Sequence, residues 1–112
     1  MTVVSKCLIE TAAASNAQTT YYTAPALTRT IIDKVTATNT TAGAVTFSLN
    51  LVPSGGAAAA GNLVISAQSI AAGASYLCPE AAGHTLNPGD FISTIAGAAA
   101  SITIRASGRE VS

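Results

Sequence analysis

Charge is what this sequence has least of. Only 9% of its 112 residues are Asp, Glu, Lys or Arg, five of each sign, and the formal net charge is zero. Ordinary soluble domains carry about 25% and rely on a net charge away from zero to stay apart. Disorder does not account for the shortage, because disordered chains are rich in charge and poor in hydrophobic residues, whereas 49% of this chain is hydrophobic. The expectation is a folded protein that works while held by neighbours. The cations Lys6, Arg29, Lys34, Arg105 and Arg109 are scattered, so no phosphate-binding cluster forms and no nucleic-acid partner is expected. No apolar run reaches the roughly 18 residues of a membrane-spanning helix, so no membrane partner is expected. The first stretch, MTVVSKCLIETAAASNAQTT, lacks the basic start and apolar block of a signal peptide.

Reactive side chains are equally scarce. There is one histidine, His84, and the acids are Glu10, Asp33, Glu80, Asp90 and Glu110. None has metal-ligand spacing, no Gly-x-Ser-x-Gly elbow is present, and no pair of acids lies in a glycosidase-like motif. The glycine-containing stretches SGG and AAAAG are too short and lack the lysine of a phosphate loop. The sequence therefore predicts no catalytic residue, no metal and no cofactor, and hence no enzyme. Cys7 and Cys78 make no disulfide framework and are expected as two small apolar side chains in strands. Tryptophan is absent and only 4% of residues are aromatic, few for a sugar-stacking surface.

What remains is alternation. From about Arg29 onward, large apolar residues recur at every second position, the period of a half-buried strand. In AVTFSLNLV, Val45, Phe47, Leu49 and Leu51 share one face, and Thr46, Ser48 and Asn50 the other. In SITIRAS, Ile102 and Ile104 are read as inward, and Ser101, Thr103 and Arg105 as outward. In DFISTIAG, Phe91 and Ile95 share a side with Ser93 between them. In TIIDKVTATN, Ile31, Val35 and Ala37 share a face with Asp33, whose carboxylate is expected near a strand end or bonded to backbone.

Small-residue turns separate the runs. NTTAGA has Gly43 available for a positive φ, AAGAS is a tight turn at 71–75, and NPGD suits a type II turn with Pro88 and Gly89 in the middle. The tract SGGAAAAG reads as a mobile loop within one domain. ETAAASNAQ, which has helix propensity but no apolar stripe, reads as a loop or single turn. About seven to nine short strands at this spacing predict a single all-β domain, 1–112, an antiparallel β-sandwich of jelly-roll type. With few charges to guard its strand edges, an edge or face is expected to be covered by a second subunit. In QTTYYTAPA, Tyr21 and Tyr22 face opposite ways, so one is expected buried and the other exposed, and both are candidate partner contacts.

From about Ile31 onward the chain resembles the small capsid decoration proteins of tailed bacteriophages, the cement or staple proteins of epsilon15-like and Bordetella-phage-like podoviruses. The pieces that carry the resemblance are IIDKVTATNTTAGAVTFSLNLVPSGG, SIAAGASYLCPE and LNPGDFISTIAGAAASITIRASGREV. The resemblance implies a jelly-roll-like sandwich on the outer surface of the virion, made in the host cytoplasm. It would be bound to the major capsid protein as a homo-oligomer, a dimer by preference, that bridges capsomers. The resemblance marks no shell-contacting positions; on the chain's own features, residues 1–23 are expected to form an extended N-terminal arm, the loop 54–61 to touch the shell, and Arg105 and Arg109 to pair with capsid carboxylates. The rival readings are a tail, baseplate or head-fibre module, and a carbohydrate- or receptor-binding sandwich.

Overall fold

The computed structural model describes residues 1–112. Nine strands run β1 Val3–Ala13, β2 Thr19–Thr23, β3 Arg29–Asn39, β4 Val45–Val52, β5 Leu63–Ile70, β6 Ser75–Tyr76, β7 Thr85–Leu86, β8 Phe91–Ala96 and β9 Ile102–Val111. The one helical element is a 3-10 turn at Ala60–Asn62. One sheet has the order β1-β9-β3-β6, with β7 also on β3, and the other the order β2-β8-β4-β5. The pairing is nested: β1 with β9, β2 with β8, β3 with β6 and β7, β4 with β5, all antiparallel. This is a long hairpin rolled into two sheets, a jelly roll. Three of the strands are ten or eleven residues long, longer than the turn spacing implied.

The two inner faces share one core. Leu8, Ile9, Ile32, Val35, Ile102 and Ile104 come from the first sheet, and Phe47, Leu49, Ile65, Ile70 and Ile92 from the second. Alternation places Phe47, Leu49, Ile102 and Ile104 inward as expected. A bulge decides the exception in β3. In β3, Ile32 pairs with Gly108 and Lys34 with Ser107, so Asp33 is an extra residue. An inserted residue reverses which positions face the core. Thr30 and Ile32 are buried before it, and Val35, Ala37 and Asn39 after it. Ile31 therefore does not share the buried face of Val35, and Asp33 sits exposed in mid-strand. In β8 the core face is Ile92, Thr94 and Ala96, while Phe91 and Ile95 are half-buried on the outer side. Ser101 precedes its strand and is buried, its hydroxyl donating to Ala98 O at 2.6 Å.

The first 23 residues supply β1 and β2 to the two sheets of this chain. Both strands are bulged, at Leu8 and again before Ala12 in β1 and at Tyr21 in β2, which breaks the alternation that would have marked them. Glu10–Ala13 continues β1 where a loop or turn was expected. Two turns form as read: Asp90 N donates to Asn87 O with Gly89 at φ 87, and Ala74 N to Ala71 O with Gly73 at φ 70. Gly43 does not take a positive φ. Its turn is held by Asn39, whose buried amide donates to Gly43 O and Ile70 O at 2.8 and 2.9 Å. The loop after β4 is tied down. Asn50 Nδ2 donates to Ala59 O and Asn62 Oδ1, Asn62 Nδ2 to Ala57 O, and Ser54 N to the Asp90 carboxylate at 2.9 Å.

Candidate functional site

The jelly roll has two unlike ends. At one end lie the connections 14–18, 40–44, 71–74 and 97–101. They are joined by bonds such as Thr40 N to Ser101 O, Ala96 N to Ser15 O and Asn39 N to Ala74 O. Every residue of these connections is Ala, Gly, Ser, Thr, Asn or Gln. At the other end lie both chain termini, paired by Thr2 and Ser112, and the connections 24–28, 53–62 and 87–90. Ala24 N donates to Asp90 O and Gly89 N to Ala24 O, so two of these turns are bound together. Pro25, Pro53 and Pro88 stiffen this end by fixing φ at each position.

Four of the five large apolar side chains that the chain exposes are at this second end: Met1, Val3, Val4 and Leu27, with Leu77 the exception. Val3 is half exposed at 53% and pairs across the sheet with Val111, which in turn faces Arg29. A cleft of about 380 Å³ opens there, lined by Met1, Leu27, Arg29, Pro88, Val111 and Ser112. Arg29 takes part in neither of the ion pairs in the chain, which are Lys6–Glu110 and Arg109–Asp33. A second cleft, about 330 Å³, contains Pro53, Asn62, Leu63, His84 and Asp90. Both Asp90 oxygens already accept backbone N–H groups, of Ser54 and Asn87, so this carboxylate serves the loops.

The four residues singled out from the sequence are not brought together. Tyr22 is buried at 8% exposure, with its hydroxyl against Thr30 Oγ1 at 2.7 Å and Glu110 Oε2 at 2.6 Å. Burial, then the bond to Glu110, pushes its pKa up to about 12. It links β2 of one sheet to β3 and β9 of the other. Tyr21 is half-buried, and its hydroxyl accepts from Ser15 N and donates to Ala13 O. Arg105 and Arg109 do stand exposed on the outer face of the first sheet. Arg105 makes one long contact to Thr11 Oγ1 at 3.4 Å. Arg109 is held by Asp33, Nη2 to Oδ1 at 2.9 Å and Nε to Oδ2 at 3.1 Å, which raises its pKa further.

No three His, Cys, Asp or Glu side chains converge. Both thiols are free; Cys7 is half-buried and Cys78 buried, and burial beside Glu80 lifts the Cys78 thiol to about 12. Tyr76 donates to the Glu80 carboxylate, which with partial burial raises its own pKa to about 12. No helix is long and apolar enough to cross a membrane. The apolar end was missed in the sequence because its members come from residues 3, 27, 88 and 111, joined only by the fold. The available local signal was Leu27, a large apolar residue in the turn sequence PALT.

No protein-family model matches this chain, and no curated protein matches it. Among solved structures, one of infectious bursal disease virus, Gx strain, aligns with 97% of this chain at a TM-score of 0.38 and 12% identity. This chain spans 41% of the length of that one.

Proposed function

We propose that this chain is a virion structural protein of the capsid-decorating, cement or staple kind, bound to the outside of a shell of major capsid protein and bridging neighbouring capsomers. The observation that carries this reading is the contrast between its two ends. A jelly roll of zero net charge places most of its exposed large apolar side chains, with an arginine in no ion pair, on one small end face. Such a surface is stable in water only at a cost and gains by being covered. The resemblance of its sequence pieces to phage decoration proteins supplies the identity of what covers it.

In this reading the chain performs no reaction and its work is adhesion. A protein that binds the assembled shell and not its dispersed subunits stabilises the shell by mass action. A dimer with two identical shell-binding ends makes its second contact effectively intramolecular. The free edge of β1, eleven residues bearing only Lys6, Glu10 and two bulges as guards, is where a second copy would add in antiparallel register, which a two-fold axis permits. The test is a cryo-EM map of the particles that carry this protein. The reading requires jelly-roll-sized density on the outer shell surface, at seams between capsomers. Density confined to the tail, or none on the particle, rejects it.

A further inference from the structure

Leu27 carries two local penalties. Thr28 N donates to Pro25 O at 3.2 Å, closing a turn of Pro25, Ala26, Leu27 and Thr28. Leu27 is its third residue and has φ 59, the position and backbone region that a type II turn normally gives to Gly or Asn. A leucine there strains the backbone. Its side chain is also 90% exposed, so the strain is not offset by any burial within the chain. Every neighbouring turn with a positive φ at this end uses glycine: Gly55 at φ 80 and Gly89 at φ 87. The isolated fold would be better served by glycine or asparagine at 27. Both penalties fall on one residue at the apolar end, beside the cleft it shares with Arg29, Pro88 and Val111.

We infer that Leu27 is a preset knob that enters an apolar socket on the shell subunit, and that a carboxylate at the rim of that socket pairs with Arg29. The turn fixes the leucine outward before contact, so little conformational freedom is lost on docking. Pro25 and the bonds from Ala24 to the 87–90 turn keep the platform rigid. Arg29 has no acidic partner in its own chain, which makes a carboxylate its natural complement across the interface. This inference rests on the decoration reading for the nature of the partner.

The test uses empty heads assembled from the major capsid protein of the same particle, titrated with wild type, Leu27→Asn, Arg29→Glu and Leu77→Asn. Leu77 is the other exposed leucine, away from this end. Expected for Leu27→Asn is an affinity loss of about tenfold to a hundredfold, the range for one buried leucine. Its melting midpoint should be equal to or above that of wild type, since Asn suits the turn. Arg29→Glu should lose at least as much binding, and Leu77→Asn should bind as wild type. Wild-type binding with an unchanged Leu27→Asn affinity overturns the knob and leaves the decoration reading intact. No wild-type binding overturns both. Loss of self-association by Leu27→Asn in sedimentation, with head binding retained, overturns the assignment by making a second copy the occupant.

Discussion

Gly108 offers the sharpest test of the packing argument. It lies in β9 between β1 and β3, opposite Ile32 at the Asp33 bulge. A methyl group placed on it would sit 2.2 Å from Ile31 O and 2.8 Å from Leu8 Cδ1. A carbon tolerates a carbonyl oxygen at about 3.3 Å, so in Gly108→Ala the two strands must part by about 1 Å. The obstacle is a main-chain oxygen in the middle of a sheet and cannot rotate away. Overpacking costs about 1–3 kcal/mol, and the upper half of that range applies here because both a ladder and a core leucine must yield. The entropy that alanine removes from the unfolded chain returns about 0.4–1 kcal/mol. The net loss is about 2 kcal/mol, which at roughly 4 °C per kcal/mol lowers the melting midpoint by about 8 °C. Circular-dichroism melts of Gly108→Ala, Gly43→Ala and Gly61→Ala measure it. The last two glycines have nothing within 4 Å of the added carbon and no positive φ, so they serve as controls at or above the wild-type midpoint. A Gly108→Ala midpoint equal to theirs would refute the close approach of β3 to β9.

Two further outcomes are expected. The Tyr22 hydroxyl sits at about 12 in the fold against an ordinary 10, so the native state holds this proton more tightly than the unfolded chain. Its contribution is complete below pH 10 and lost as the pH rises towards 12; the Cys78 thiol, raised from 9 to about 12, acts in the same direction from pH 9 upward. Urea midpoints should therefore fall between pH 9 and 12, with Tyr22→Phe flattening the upper part of the fall, and a Tyr22→Phe profile identical to wild type would contradict the placement. A thiol reagent at pH 8 should label Cys7 in the native protein and reach Cys78 only after unfolding, since Cys78 is fully buried. Equal labelling rates for the two thiols would mean that the 71–86 segment does not cover the core as described.

Legibility in the sequence followed the regularity of the pairing. β4 and β9 alternate without interruption across their core-facing halves, so their period alone marks Phe47, Leu49, Ile102 and Ile104 as the core residues they are. The sequence of residues 1–23 reads as an extended arm, with Tyr21 and Tyr22 as neighbouring strand residues, and not as β1 and β2 of the two sheets, because bulges at Leu8 and Tyr21 break the alternation that marks a sheet strand. β3 was seen, but with its buried face wrong up to Asp33. In β8, Phe91 and Ile95 do share a side, as the alternation says, but it is the outer one, because the apolar residues of this central strand occupy both faces and Ile92 takes the core. The tyrosine pair shows that one ring is buried and the other more open, and only the fold says that the buried one is Tyr22, with its phenol bonded to Thr30 and Glu110.

Composition and period by themselves determined the class of fold and the character of the surface. Alternation and turn residues are local properties, and a shortage of ionised groups cannot be undone by folding. Only the tertiary structure decided which residues face the core, which end is apolar, and that Leu27, Arg29 and Val111 meet. The physical reason is that a bulge or an end face is created by pairing between distant segments, as when Ile32 meets Gly108 or Val3 meets Val111. Nothing within a ten-residue window encodes which partner arrives.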